Sequence, residues 1–338
     1  MRDKNICLIY TGGTIGMERT AQGYAPMRHF AMVLSQLLRE HSNSLPQYTL
    51  RQFEAPIDST NATPEDWCRI AHDIASCYQQ HDAFVVLHGT DTMAYTAAAL
   101  SFMLRGLRKP VILTGSQIPM LELRSDAPQN LIGAMQLAAR DDIHEVAIYF
   151  SQRLLRGNRA TKLSAQRLDA FDSPNYPKLA EVGIEVAMNS AALLPCPDRE
   201  CFELPSYACG QVVPLRFVPG LPLQAVQALL DLDPKALILQ GHGAGNVPDR
   251  DPALREMLRA ASERGVVLAC GSQAPQASVQ LHAYATGSVL DGAKVVGTAD
   301  MTFEATFAKL HHLFALGLTA DEVRLALLRD LSGELTIR

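Results

Sequence analysis

"IYTGGTIGM", residues Ile9–Met17, ends an apolar run with two glycines and a threonine. A P-loop would need a lysine after its glycines, and a dinucleotide-binding turn would need the order Gly-x-Gly-x-x-Gly; the stretch has neither. Glycines allow a tight turn and let a ligand approach the backbone closely. The stretch therefore predicts a buried strand whose carboxyl end presents Thr14 on a tight turn.

The Thr14 hydroxyl has two interpretations. It either caps the turn, as threonine hydroxyls commonly do, or acts as a nucleophile. A threonine hydroxyl is a poor nucleophile unless a neighbouring group takes its proton. Tyr24, on the glycine-containing segment just downstream, is a candidate for that group. We expect this downstream segment, residues 17–30, to form a loop.

Apolar runs of strand length alternate with helical patterns along the chain. The runs "ICLIY", "AFVVLHG", "PVILTG" and "EVAIYF" are rich in β-branched residues and are bounded by Gly, Pro or Asp. This alternation predicts an α/β fold built on a parallel sheet. Periodicity lapses near residues 190–214, which contain four prolines. We expect a larger N-terminal parallel-sheet domain over residues 1–189, a linker over 190–213, and a smaller C-terminal α/β domain over 214–338.

Composition excludes several classes of protein. The net charge of −5 argues against a nucleic-acid partner, which would need a basic face. No apolar run is long enough to span a bilayer, so no membrane partner is expected. The seven cysteines are scattered without a Cys-x-x-Cys pair, and those near residue 200 lack a histidine at zinc spacing. We interpret them as reduced thiols of a cytoplasmic protein.

Further polar side chains follow the predicted strands. Ligands of open parallel sheets bind beyond the carboxyl ends of the strands, so these positions are candidates for a site. Thr90 and Asp91 follow "VVLHG", and Ser116 follows "PVIL". Thr90 and Asp91 are also favoured helix N-caps, so a structural role stays open. In the functional interpretation, Asp91 holds an ammonium group and Thr90 handles a proton or positions water.

Two more groups could join these side chains. Lys162, in "RGNRATK", is either a solvated surface charge or a cation that folds back toward Asp91 and Thr90 and favours a deprotonated hydroxyl. Asp58, Ser59 and Thr60 precede a predicted helix, where they are either binding residues or turn and cap residues.

The order of these motifs resembles one known family. "YTGGTIGM", "LHGTDTMAYTA", "LTGSQIP", "LRSDA", "RGNRATK" and "YATG", followed by "GTADMTFEAT", are similar to the bacterial L-asparaginases, and most similar to their cytoplasmic type I branch. The resemblance runs from the first strand to near the C-terminus. It implies hydrolysis of L-asparagine to L-aspartate and ammonia, without a metal ion or organic cofactor.

The resemblance also implies roles for the candidate residues. Thr14 would attack the side-chain amide and form an acyl-enzyme, and Tyr24 would close over the substrate and help to remove the Thr14 proton. Thr90, Asp91 and Lys162 would form a second group, in which Thr90 activates water and Asp91 also binds the substrate's α-amino group.

Substrate binding would involve the neighbouring turns as well. Ser59 would bind the α-carboxylate, with Asp58 and Thr60 flanking that contact, and Ser116 would line the same pocket. Backbone N–H groups near Thr90 would form an oxyanion hole. In this family a neighbouring subunit completes the site, so the resemblance implies a homodimer or homotetramer.

One feature departs from the type I branch. Those enzymes can carry a second site for asparagine, an effector site, built around an arginine after the strand that corresponds to "ALIL". Here Gln240 ends that strand, and Ser272 lies in the next candidate segment, "ACGSQAPQASVQ". Without a guanidinium there is no evident partner for a carboxylate. We therefore expect this chain to lack that mode of activation, unless His242 reshapes the site.

Three alternatives bear on function. A glutaminase-asparaginase of broader specificity would share the motifs, because a pocket discriminates one methylene by only about 1–3 kcal/mol. The related amidase that acts on tRNA-bound glutamate carries an extra N-terminal domain and needs a basic surface, which disfavours it. A non-catalytic amino-acid sensor would be favoured by loss of Thr14, Thr90 or Lys162, and all three are present.

Overall fold

A computed structural model describes residues 3–248, 250–279, 281 and 292–337. The chain divides into two compact units, Met1–Leu204 and Pro205–Arg338. Residues 189–211, which lie around this division, contain no helix or strand. No helix among the described residues is both long and apolar enough to cross a lipid bilayer.

The described residues of the first unit form twelve strands and four α-helices. Its strands are β1 (Asn5–Gly12), β2 (Met17–Thr20), β3 (Gly23–Pro26), β4 (Gln47–Ile57), β5 (Ala83–Leu87), β6 (Val111–Thr114), β7 (Val146–Phe150), β8 (Arg153–Arg156), β9 (Thr161–Lys162), β10 (Phe171–Asp172), β11 (Ala180–Val182) and β12 (Val186–Met188). Its helices are α1 (Phe30–Arg39), α2 (Pro64–Cys77), α3 (Met93–Met103) and α4 (Ala127–Ala138).

The main sheet has eight strands in the order β12-β11-β8-β7-β6-β5-β1-β4. The five strands from β7 to β4 are parallel, as predicted, but β8, β11 and β12 pair antiparallel at the other edge. Only Ser151 and Gln152 join β7 to β8, and both have positive φ, at 46° and 68°. Such a two-residue turn matches strand twist in a hairpin, and it reverses the chain without a crossover helix.

The segment after Thr14 differs from the expected loop. Met17–Thr20 and Gly23–Pro26 pair as an antiparallel hairpin, β2–β3, with Arg19 opposite Tyr24. The two strands are short and contain few apolar residues, so the sequence shows no clear alternation of apolar and polar residues that would predict them. The hairpin therefore places Tyr24 on a strand.

Burial of apolar residues on both faces of the sheet holds the parallel strands in place. Every residue of β5, β6 and β7 is buried, as is nearly all of α3, whose sequence is rich in Ala, Leu, Phe and Met. Helices that are apolar all round are core helices. The carboxyl ends of β1, β5 and β6 thus emerge from a rigid core at one edge of the sheet.

The second unit is a smaller α/β domain. Its elements are β13 (Val212–Arg216), α5 (Leu223–Leu230), β14 (Ala236–Gly241), α6 (Pro252–Glu263), β15 (Val267–Ser272), β16 (Val296–Gly297), α7 (Phe303–Ala315) and α8 (Ala320–Leu327). The four described strands pair in parallel in the order β13-β14-β15-β16. The predicted α/β class, with a larger N-terminal and a smaller C-terminal domain, is confirmed. The motif "YATG", residues 284–287, lies outside the described residues.

Candidate active site

The turn that carries Thr14 packs directly against the turn that carries Thr90. Gly13 has φ of 89°, and a Cβ on it would lie only 2.3 Å from Gly89 Cα. A Cβ on Gly89 would in turn lie 2.4 Å from Ser59 Oγ. Only glycine fits such contacts, so Gly13 and Gly89 bring three turns together at the carboxyl ends of β1 and β5 and the end of β4.

Thr14 itself begins a short 3-10 turn, Thr14–Gly16, closed by a bond from Gly16 N–H to the Gly13 carbonyl at 3.1 Å. It is partly buried. Among the described residues its hydroxyl makes no hydrogen bond. The side chain is therefore not committed to capping the turn that holds it.

Thr90, Asp91 and Lys162 form one hydrogen-bonded group. Lys162 Nζ donates to Thr90 Oγ1 at 2.8 Å and to Asp91 Oδ1 at 2.7 Å. Thr60 Oγ1 donates to the other Asp91 oxygen at 3.3 Å. The bond from Lys162 lowers the pKa of the Asp91 carboxyl, against a smaller opposing effect of burial. The cluster thus holds an ammonium that bonds to both a hydroxyl and an ionised carboxylate.

The turn at Asp58–Thr60 has a structural role that sequence reasoning had left open. Asp58 accepts a bond from Thr60 N–H at 3.1 Å and caps the 3-10 turn Ser59–Asn61. The Ser59 carbonyl accepts a bond from Thr92 Oγ1 at 2.7 Å, which ties this turn to the one after β5. Ser59 is buried against Gly89, while Thr60 reaches Asp91.

Ser116 lies in the turn after β6 but bonds within that turn. It is fully buried, and its hydroxyl donates to the Ile118 carbonyl at 2.7 Å. Its neighbour Gln117, which the sequence reasoning did not select, accepts a bond from Thr90 Oγ1 at 3.1 Å. Gln117 belongs to the motif "LTGSQIP", but only hydroxyl and charged side chains were considered as candidates, so this amide was missed.

His88 is a second residue that sequence reasoning missed. It is buried just before Gly89, where Nδ1 lies 2.7 Å from the Gly89 carbonyl and Nε2 lies 3.0 Å from Thr96 Oγ1. Burial lowers its pKa, so the ring is neutral at pH 7. Its contacts fix the peptide that precedes Thr90.

Tyr24 lies on β3 and is half exposed. Its hydroxyl donates to Glu122 Oε1 at 3.2 Å. That bond points the phenol at a surface carboxylate, and no bond joins it to Thr14 among the described residues. A role for Tyr24 at Thr14 stays a prediction that requires the hairpin to move.

The residues predicted for an effector site lie in the second unit. Gln240 lies one residue before the end of β14, and its backbone carbonyl accepts a bond from Gln273 Nε2 at 2.7 Å. Ser272, at the end of β15, donates to the Gly243 carbonyl at 2.6 Å and accepts from Ala274 N–H. These bonds stabilise the turns after the two strands, and they do not join the Gln240 and Ser272 side chains.

One group of described side chains offers three metal ligands in one place. Cys7, Cys77 and His81 are buried, and their ligand atoms lie within 4.8 Å of one another. Burial raises the pKa of the Cys7 thiol above its usual range, which disfavours the thiolate that a metal needs. We assign no metal to this group, and the absence of a cofactor stays a prediction.

Comparisons with known proteins show the family to which the chain belongs. Residues 5–194 match the family model "Asparaginase, N-terminal", and residues 211–327 match "Glutaminase/Asparaginase C-terminal domain". L-asparaginase 1 of Escherichia coli K12 is 45% identical over 337 residues, which are 99% of each chain. The crystal structure of L-asparaginase I from Vibrio cholerae has a TM-score of 0.91 at 39% identity and covers 99% of this chain and 100% of that one. L-asparaginase from Thermococcus kodakarensis has a TM-score of 0.89 at 31% identity, with coverage of 99% and 100%. The predicted resemblance is confirmed, and the chain belongs to the asparaginase family.

Proposed function

We propose that this protein hydrolyses L-asparagine to L-aspartate and ammonia through an acyl-enzyme on Thr14. The observation that carries the proposal is the close packing of Gly13 on Gly89, which sets an uncommitted threonine hydroxyl beside the Thr90–Lys162–Asp91 group. Relatives named L-asparaginase are 39% and 45% identical to this chain and cover 99% of it.

The reaction has two steps that leave the enzyme unchanged. Thr14 Oγ bonds to the side-chain amide carbon, the C–N bond breaks, and the Thr14 proton leaves with the nitrogen as ammonia. Water then bonds to the acyl carbon, the ester bond to Thr14 breaks, and a proton from water returns to Thr14 Oγ. Tyr24 assists the first proton transfer once its hairpin closes, and the cation of Lys162 stabilises negative charge near Thr90.

Recognition of the amino-acid substrate uses the charged and polar groups around Thr14 and Thr90. The ionised Asp91 binds the α-ammonium of the substrate, and Ser59 binds its α-carboxylate. Asp58 and Thr60 hold these groups in place through the bonds described above. Ser116 shapes the pocket from the turn after β6.

The remaining expectations concern assembly and location. We infer a homodimer or homotetramer in which a second copy completes the site, as the family resemblance implies. The exposed thiols of Cys196 and Cys201 suit a reducing cytoplasm. The acidic net charge of −5 disfavours nucleic acid as a partner.

The test is ammonia release from L-asparagine and, separately, from L-glutamine. We expect asparagine hydrolysis in the wild type and a loss of at least about a thousandfold in Thr14→Ala, because the nucleophile is removed. Thr49→Ala, at an exposed position on β4, is the matched control and should keep full activity. Glutamine hydrolysed as well as asparagine would favour the broader specificity. A folded wild type that hydrolyses neither amide would refute the proposal and favour the sensor alternative.

A further inference from the structure

Gln117 uses both ends of its carboxamide beside Thr90. Its Oε1 accepts the bond from Thr90 Oγ1 at 3.1 Å, and its Nε2 donates to the backbone carbonyls of Ser164, at 3.4 Å, and Arg167, at 3.1 Å. The opposite orientation of the amide would set Oε1 against two carbonyl oxygens, neither of which can donate. The hydrogen-bond network therefore fixes the carboxamide oxygen toward Thr90.

This orientation determines where the Thr90 proton points. An ammonium group only donates, so Thr90 Oγ1 must accept from Lys162 at 2.8 Å. Its own proton is directed to Gln117 Oε1, the acceptor that the structure gives it. A hydroxyl has two lone pairs, and Lys162 occupies one. The second lone pair of Thr90 is left as an acceptor.

The Gln117 backbone is held as firmly as its side chain. Its N–H and that of Ile118 donate to the carboxylate of Asp126, at 3.0–3.1 Å. Asn130 Nδ2 donates to Asp126 and to the Gly115 carbonyl, both at 3.0 Å, and Asp126 and Asn130 are buried. The start of α4 thus fixes the turn that carries Gln117, so the contact with Thr90 is preorganised.

The same side chain also anchors the segment that follows Lys162. Ser164 and Arg167 belong to the connection between β9 and β10, and Lys162 is the last residue of β9. One amide therefore spans Thr90 on one side and the Lys162 segment on the other. Its loss has two separable consequences, one for the Thr90 hydroxyl and one for the loop.

We propose that Gln117 is a positioning residue that keeps Thr90 a hydrogen-bond acceptor toward the reacting groups. The inference rests on the proposed function. In the first step the departing nitrogen carries N–H groups, and in the second the attacking water carries O–H groups, so both are donors to the same lone pair. Thr90 keeps its own proton, and the proton that water releases returns to Thr14 Oγ. Without Gln117, the Thr90 proton turns toward the substrate and meets another donor.

Two substitutions separate the consequences. Gln117→Met keeps the length of the side chain but removes both the acceptor and the donor. Gln117→Glu keeps an acceptor for Thr90 but sets its second oxygen against the two carbonyls, so it disturbs the loop without removing the Thr90 contact. We expect Gln117→Met to lower kcat by about tenfold or more with KM changed less than about threefold. We expect Gln117→Glu to lower the melting temperature, because its second oxygen faces the two carbonyls, but to retain most of the wild-type kcat, because Thr90 keeps its acceptor. Gln166→Met, at an exposed position in the same loop, is the matched control.

The outcomes distinguish positioning from a structural role. A merely structural role predicts equal losses in Met and Glu variants, with KM and melting temperature changed in parallel, and that result overturns the proposal. A wild-type kcat in Gln117→Met overturns it as well. Should Gln117→Met fail to fold, Gln117→Glu alone decides, since a kcat near that of the wild type supports the orienting role and a tenfold loss overturns it. An inactive wild type would refute the proposed function instead, so the two failures are distinct.

Discussion

Gly13 and Gly89 approach each other so closely that a Cβ on Gly13 would lie 2.3 Å from both Gly89 Cα and Gly89 N. This contact joins the turn that carries Thr14 to the one that carries Thr90. Gly13→Ala also forces a side chain onto a φ of 89°, so both strain and overlap oppose it. The geometry of the site therefore depends on two residues that have no functional groups.

Substituting Gly13 or Gly89 tests the geometry of the candidate site without removing a functional group. Gly89→Ala keeps an ordinary φ but pushes against Ser59 Oγ, 2.4 Å away, so we expect a loss of stability of about 1–3 kcal/mol and weaker asparagine binding. Gly13→Ala should lower both kcat and stability further. Steady-state kinetics and urea unfolding measure these effects, with Gly183→Ala as a control, because a Cβ on Gly183 would only make ordinary contact with the Glu185 carbonyl oxygen at 3.8 Å. Unchanged kinetics in both variants would contradict the role given to this contact.

The Asp91–Lys162 pair predicts how stability depends on pH. Lys162 lowers the pKa of the Asp91 carboxyl below its ordinary value of 3.8, so the folded protein keeps it ionised at a lower pH than the unfolded chain does. The pair therefore stabilises the fold fully above about pH 5, and this contribution is lost as the pH falls through 3.8 and below. Asp91 is more than half exposed, so the contribution is below about 1 kcal/mol.

This dependence is measured by urea unfolding of the wild type and Asp91→Asn across the acid range. The difference in unfolding free energy should be constant near neutral pH and shrink toward zero in acid. Asp198→Asn, at an exposed position, should show no such trend. A difference that grows as the pH falls would mean that the sign is wrong.

The hydrogen bond between Tyr24 and Glu122 predicts different effects for substitutions of the two residues. If Tyr24 serves Thr14 in the closed state, Tyr24→Phe should lower kcat by at least about tenfold, because it removes a proton-transfer group. Glu122→Ala should change KM more than kcat, since Glu122 holds the phenol only in the conformation described here. Melting temperatures should change little, because the hydrogen bond between the two side chains is exposed. Tyr48→Phe is the matched control, and a Tyr24→Phe variant as active as that control would exclude the role.

The sequence predicted those candidate residues that directly follow a strand. Thr14 and Thr90 come after β1 and β5, and the rule that ligands lie beyond the carboxyl ends of parallel strands placed them at one edge. Lys162 is different, because it lies on a two-residue strand outside the main sheet. Its place beside Asp91 follows from the turns of β8–β10, which local periodicity does not encode. The family resemblance, and not the pattern alone, brought it into the site.

Other features escaped prediction for identifiable reasons. The antiparallel edge depends on Ser151 and Gln152 taking positive φ, a conformation usually signalled by Asn or Gly. Gln117 became visible only through its distance to Thr90, since an amide in a turn has no signature of its own. In both cases tertiary contacts, and not local sequence propensities, determine where the residues lie.

The saturation curve for asparagine tests the departure at Gln240. Effector binding in the type I branch is expected to need a guanidinium, and the side chain at this position is the uncharged carboxamide of Gln240. We expect a hyperbolic dependence of rate on asparagine concentration, with a Hill coefficient near 1. Initial rates measured from far below to far above KM decide this. A sigmoidal curve that Gln240→Ala makes hyperbolic would show that an effector site survives with different residues.

A buried ion pair in the second unit predicts a large effect on stability alone. Lys309 and Glu334 are both fully buried, and Lys309 Nζ contacts Glu334 Oε1 at 2.5 Å while also donating to the Leu327 carbonyl at 2.8 Å. Burial would raise the pKa of Glu334, but Lys309 and backbone N–H groups lower it overall, so the carboxylate is charged at pH 7. Lys309→Met would leave that charge without its counter-ion.

We therefore expect Lys309→Met to lower the unfolding free energy by about 3–5 kcal/mol. Lys309→Met combined with Glu334→Leu should recover much of this loss, because no charge is then left in the core. Urea unfolding at pH 7 measures both, and Lys294→Met, at an exposed position, serves as the control. If the single variant were as stable as the control, or the double variant less stable than the single one, the pair would not act as a unit. The KM for asparagine should stay unchanged in every variant that folds, because neither residue belongs to the candidate active site.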